Sequence, residues 1–232
     1  IKNRPATLDD LNKMMIDGRS VADLVTDRSG VTGEKMELGY YETVTGKSTV
    51  AYVHPGNMLA TIAAFAEENA DLKVMKGIAM QVAAMNPVAL DRNSVDQKVI
   101  DTEMQVAIDK TKAEQVQKAV EAALKKAGFN LYICESEEHL NEGIMKGMIT
   151  EAQAQEIREI KEKVAAEKAA NLPEQMIQNI AKGRLNKFFQ ESTLVEQQFV
   201  GGETEQKMDV QTYLKNNNTT VTGFRRVTLN QE

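Results

Sequence analysis

Gly46-Lys47-Ser48 supplies the glycine, lysine and hydroxyl that close a phosphate-binding loop, whose backbone amides and lysine cradle a polyphosphate. The full pattern also requires a glycine five positions earlier, and that position is Tyr41. The flanking residues read as strand, turn, strand, whereas a phosphate loop leads into a helix, so the three residues read as an ordinary turn. The two histidines, His54 and His139, lie far apart, and neither has partners at zinc-ligand spacing. Cys134 follows Tyr132 and Ile133 and reads as a buried, inert thiol. Lys182, Arg184 and Lys187 put three cations on one helical stretch, which reads as a solvated face opposite Leu185 and Phe188. No nucleophile, base and orienting group come together. The reading is of a protein that is not an enzyme, with no catalytic residues, no metal ligands and no cofactor.

The elements that would position any site follow from periodicity and punctuation. Thr7 and Ser20 read as N-caps of two short helices, the first with Asp9 and Asp10 in its opening turn. Tyr40, Tyr41, Val44, Val50, Tyr52 and Val53 are β-formers around Thr45-Gly46, and Met58 to Phe65 continues as a buried strand. Val74, Ile78, Val82 and Met85 recur at helical steps up to Asn86-Pro87. Ile100, Met104, Ile108, Val116, Val120 and Leu124 make a long stripe that closes on Lys125, Lys126 and Gly128. A return helix opens with the capping pair Thr150 and Gln153, carries Ile157, Ile160 and Val164, and restarts after Asn171-Leu172-Pro173 through Ile177, Ile180, Leu185 and Phe188. Each leg is roughly 45 Å long at 1.5 Å per residue, which predicts an antiparallel helical arm. Between the legs, Asn130 to Cys134 reads as a short strand and Ser136 to Met148 as a tip helix. Beyond Phe189, Leu194 to Val200 reads as a strand, Val210 to Leu214 as a helix and Val221 to Leu229 as a strand.

The fold class expected is α+β: small antiparallel sheets with packed helices, interrupted by a long helical-hairpin (coiled-coil) arm. The expected divisions are 1–47, the remnant of an N-terminal subdomain; 48–94, the first part of a C-terminal subdomain; 95–189, the arm with its tip; and 190–232, the second part of that subdomain. Composition agrees, with 42% apolar and 27% charged residues, only 5% aromatics and no tryptophan. The net charge of −6 disfavours direct nucleic-acid binding. The apolar run from Val50 to Phe65 is broken by His54, Pro55 and Asn57 and is too short for a bilayer, so no membrane partner is expected. A single cysteine forbids an intrachain disulfide and fits a cytoplasmic protein.

Several stretches resemble the elongation factor Ts family, in the family's order. Gly77-Ile78-Ala79-Met80-Gln81-Val82-Ala83-Ala84-Met85-Asn86-Pro87 is similar to its "IAMHIAAxNP" helix. Ala181 to Phe189 is similar to "EGRLNKF", and Leu194 with Gln198-Phe199-Val200 to "L…QPFV". Val221-Thr222-Gly223-Phe224-Arg225-Arg226-Val227 is similar to the closing "VxxFxRF" strand. Gly33 to Leu38 and Tyr52-Val53-His54 fit "GENIxLRR" and "YIH" more loosely. The family's N-terminal module and its "TDFV" motif would precede Ile1, the arm is lengthened between about Gln115 and Lys163, and Pro55-Gly56-Asn57 stands where "GGR" is usual. The resemblance implies a guanine-nucleotide exchange factor that binds elongation factor Tu and promotes GDP release. It places His54, Pro55 and Gly56 against the partner's nucleotide domain, and Phe199, Val200 and Gly201 against another partner domain. A homodimer is left open. From a different class, a non-exchange helical-hairpin adaptor or chaperone-like module docking through the arm is the alternative.

Overall fold

The computed structural model describes residues 4–201 and 207–229 and divides into two compact units, one of residues 1–91 and 192–232, the other of residues 92–191. The first unit begins with α1 (Leu8–Lys13), capped by Thr7, whose hydroxyl accepts from the Asp10 amide while Asp10 returns the bond. A two-residue ladder follows, β1 (Met15–Ile16) with β2 (Arg19–Ser20). Ser20 then caps α2 (Val21–Thr32) with Asp23 as its reciprocal partner, and Gly33 ends it in the left-handed conformation at φ 74°. Neither α1 nor α2 contains a buried residue. Helices held by caps and exposed ion pairs, with nothing buried, open easily, because burial is what resists local unfolding. Hydrogen exchange should therefore find α1 and α2 almost unprotected while the central strand β4 exchanges only on global unfolding; equal protection would mean that the two helices are braced by something else.

The core of this unit is a three-stranded antiparallel sheet, β3 (Ser48–Val53), β4 (Leu59–Phe65) and β5 (Val221–Thr228), with β4 in the centre. Pleating sends Val50, Ala63 and Phe65 to one face, where α3 (Leu72–Met85) lays down Val74, Met75, Ile78, Ala79 and Val82. Asp71 caps α3 by accepting from the Lys73 and Val74 amides, and Asn86 closes it at φ 42°, just ahead of Pro87. The buried Thr61 hydroxyl donates to the Ala79 carbonyl at 2.8 Å, tying sheet to helix. Leu194, Phe199, Val210 and Leu214 complete the core, the last two from α9 (Val210–Asn216).

Three expectations change here. Met36 to Val44 forms no strand: its β-forming residues find no ladder partner among the described residues, and Ser29 Oγ takes the Met36 amide instead. Thr45-Gly46 is not the hairpin turn. Gly46 leads into β3 with its backbone pressed on the sheet, where a Cβ would lie 2.8 Å from the Phe65 carbonyl oxygen and 2.9 Å from the Ala64 Cβ. Leu194 to Val200 is a turn and extended stretch with isolated bridges at Thr193 (to Ala89) and Gln198 (to Asp209), so Leu194 and Phe199 are buried without belonging to a sheet.

The second unit opens with a single 3-10 turn (Arg92–Ser94) and is otherwise helical: α4 (Gln97–Lys126), α5 (Leu131–Cys134), α6 (Glu137–Met145), α7 (Glu151–Ala170) and α8 (Glu174–Ser192, its last residue counted with the first unit). Val120 and Leu124, near the end of α4, share a cluster with Ala154 and Ile157, near the start of α7, so the two helices run antiparallel. Val116 packs there with Ile160 and Val164, while Ile108 is only half-buried. The buried seam of α4 also includes Thr111, whose hydroxyl donates to the Ala107 carbonyl at 2.6 Å and so needs no external partner. Thr150 and Gln153 form the expected capping box of α7. Asn130 to Cys134 is a helical turn, not a strand. Asn130 caps it by accepting from the Tyr132 amide, and Cys134 is drawn into the cluster beside Leu140 and Ile149. The helices α6 and α7 are also joined by Arg158, which donates to both carboxylate oxygens of Glu137. The hydrogen bond from Arg158 holds the Glu137 carboxyl below its usual range.

Candidate functional site

The β3–β4 hairpin carries the first group of predicted contact residues on its loop. His54 donates its amide to the Leu59 carbonyl and accepts the Asn57 amide, both at 2.9 Å, which closes a turn with Pro55 and Gly56 at its centre. Gly56 sits at φ 94° and Pro55 precedes it, the residue order that a type II turn demands. Asn57 follows at φ 58° and turns the chain into β4. The His54 ring is held by Tyr52, whose hydroxyl lies 3.0 Å from Nδ1, and the rings meet edge to face at 6.0 Å. The loop is exposed, short and fixed by its own hydrogen bonds, so it can present His54 without ordering cost on contact.

The second group lies along α3. Phe199 is buried, 4% exposed, with its ring stacked on Tyr213 at 3.8 Å and 14°. Burial pushes the Tyr213 hydroxyl above its ordinary pKa, and Asp71 adds to the shift. Gly201 lies so close to α3 that a Cβ on it would fall 1.9 Å from the Gly77 carbonyl oxygen. Between them Val200 turns outward and is 51% exposed. Its side chain lines an open, largely apolar groove of about 700 Å³ with Leu72, Met80 and the stems of Lys73 and Lys76. Leu72 and Met80 are exposed as well.

Of the six predicted residues, Phe199, Val200 and Gly201 are thus brought together on α3, Phe199 as an anchor and Val200 as the presented residue. His54, Pro55 and Gly56 sit on a different element. Leu72, Lys76 and Met80 were missed in the sequence because they occupy the outward side of a helix whose inward stripe explained the pattern. Cys134 is buried, and burial raises its thiol pKa, which suits an inert residue. Its neighbour on the α5–α6 cluster, His139, stacks on Tyr132 at 4.5 Å. Among the described residues, no three His, Cys, Asp or Glu gather where they could hold a metal ion, and no helix is long and apolar enough to cross a membrane.

The hairpin loop and the open apolar groove, with Lys73 and Lys76 beside it, are exposed surface features of the first unit. The family model described as "Elongation factor TS" matches residues 1–134 and 141–231. The elongation factor Ts of Bacteroides thetaiotaomicron is 53% identical over 199 residues, covering 85% of this chain and 60% of that protein. Those of Phocaeicola vulgatus and Porphyromonas gingivalis are 47% and 36% identical, covering 100% and 99% of the chain and 70% and 63% of their own lengths. The chain belongs to the elongation factor Ts family, a family of translation elongation factors, and spans about two thirds of the length of these relatives.

Proposed function

We propose that the chain binds elongation factor Tu and promotes release of its GDP, acting in the cytoplasm as a guanine-nucleotide exchange factor. Family membership over nearly the whole chain is the observation that carries this reading. Exchange needs no bond-making residue. A protein that binds the nucleotide-free GTPase more tightly than the GDP form must, by linkage, weaken GDP by the same factor. The hairpin loop with His54, Pro55 and Gly56 is assigned to the partner's nucleotide domain, where displacing the elements that hold the diphosphate removes its charge clamp. Val200, held in place by Phe199 and Gly201, is assigned to a second partner domain.

The apolar groove supports that assignment, because half-exposed Leu72, Met80 and Val200 side chains gain from burial by a partner surface at about 25 cal/mol per Å². Release of a fluorescent GDP analogue from elongation factor Tu tests the reading: the off-rate should rise with the concentration of this chain. An off-rate unaffected by saturating chain would leave the adaptor reading in its place.

A further inference from the structure

Gln81 is fully buried on the inward face of α3, between Ile78 and Val82, where helical periodicity calls for an apolar residue. A carboxamide there is costly unless all its bonding capacity is used. The backbone that passes over α3 explains it. The stretch 197–201 lies in no strand, and interior helix carbonyls are already engaged within their own helix, so the stretch cannot borrow partners from the α3 backbone. Several of its bonds are made elsewhere. The Gln197 carbonyl accepts the Val210 amide at 2.9 Å, and the Phe199 amide donates to the Met208 carbonyl at 2.8 Å. Two more fall to Gln81: its Oε1 accepts the Val200 amide at 2.7 Å, and its Nε2 donates to the Gln198 carbonyl at 3.1 Å. The same Nε2 donates to Gln197 Oε1 at 3.2 Å, and Gln197 Nε2 donates to the Met85 carbonyl at 3.2 Å. Each carboxamide therefore has a single orientation that satisfies its neighbours.

We infer that Gln81 is a positioning residue for partner docking: through the Val200 amide it fixes the height and direction of the exposed Val200 side chain over the groove. The inference rests on the proposed docking role of Val200. Phe199 fixes the stretch on one side through its stack on Tyr213, and Gly201 fixes it on the other through its contact with Gly77. The Val200 amide between them is held to α3 by Gln81. A buried apolar replacement leaves that amide and the Gln198 carbonyl without their partner, and the lip between the two anchors loses its preferred conformation.

The test is a double-mutant cycle on the affinity for nucleotide-free elongation factor Tu, using the unaltered chain, Gln81→Leu, Val200→Ala and the double variant at a temperature where all are folded. Gln81→Leu should weaken binding by about tenfold or more, the scale of one unmade buried hydrogen bond. Val200→Ala should weaken binding in the unaltered background but by less than about twofold once Gln81 is gone, since residues that act as one unit do not add. Additive losses, or unchanged affinity in Gln81→Leu, would overturn the inference by reducing Gln81 to a packing residue. Gln81→His gives a second reading should the leucine variant not fold. A neutral imidazole can accept from the Val200 amide, whereas an imidazolium cannot. Its affinity relative to the unaltered chain should fall with pH below the ordinary imidazole value of about 6.5, because burial lowers the pKa of an imidazole. A pH-independent ratio would overturn the inference. An unaltered chain that forms no complex would instead refute the docking role on which all of this rests.

Discussion

Substituting aspartate for Val120 should melt the helical unit and leave the sheet-containing unit folded. Val120 is 6% exposed and lies within the cluster of Leu124, Cys134, Leu140, Ile149, Ala154 and Ile157, a group of apolar side chains and one thiol, with Lys161 and Tyr132 on the wall of the pocket that Val120 also lines. An unpaired charge in such a place costs several kcal/mol, a large part of the ~5–15 kcal/mol that holds a domain of this size. The cluster is the meeting place of α4, α5, α6 and α7, so its loss removes what pairs the long helices. The core built on Val50, Phe65, Ile78 and Leu194 shares no residue with it. Thermal unfolding followed by hydrogen exchange should show the amides around Leu124 and Ile157 exchanging freely at temperatures where those of Ile62 and Ile78 remain protected. Cooperative collapse of both sets at one lowered temperature would show that the two cores are energetically one.

The second large effect is expected at Gly201. Its missing side chain is what lets the chain touch α3: a Cβ would stand 1.9 Å from the Gly77 carbonyl oxygen and 2.8 Å from the Gln81 amide nitrogen, both helix backbone and unable to yield. Gly201→Val should therefore lift the stretch 199–201 off the helix, pulling Phe199 from its stack on Tyr213 and opening the seat it fills beside Gly77. Lost aromatic burial and an overpacked contact together should cost about 3 kcal/mol, or roughly a 5–10 °C drop in the melting temperature of this unit. Near-ultraviolet circular dichroism should lose the Phe199–Tyr213 contribution at the same time. A variant with unchanged melting and unchanged aromatic signal would mean that the close approach is absent in solution.

Local signals along the chain predicted most of the helices, because capping chemistry is local. Thr7, Ser20, Asp71 and Thr150 each meet an amide two or three residues on, and the pattern needs no knowledge of the rest of the fold. Strand assignments depended on partners that sequence proximity does not supply. Leu194 to Val200 carries apolar residues at both ends and reads as a strand, yet its bonds go to Gln81, Ala89, Leu90, Met208 and Val210, side chain and backbone alike, so burial without a ladder was invisible. Leu131 to Cys134 is apolar enough for a strand, but Asn130 caps it as a helical turn and the tip cluster takes the side chains. The candidate site shows the same division. His54-Pro55-Gly56 is a turn by its own residues, and only the position of the turn was misjudged. The groove beside Val200 joins residues from α3 to residues more than a hundred positions later, a juxtaposition that periodicity cannot reveal.

The proposed function requires this chain to bind elongation factor Tu more tightly without nucleotide than with GDP. Titration calorimetry of the chain against nucleotide-free elongation factor Tu, repeated with a large excess of GDP, measures that preference directly. A tight one-to-one complex without nucleotide, markedly weakened by GDP, is the predicted result, and GDP affinity should fall by the same factor when the chain is present. No complex at tens of micromolar in either condition, or a complex of equal affinity in both, would contradict it.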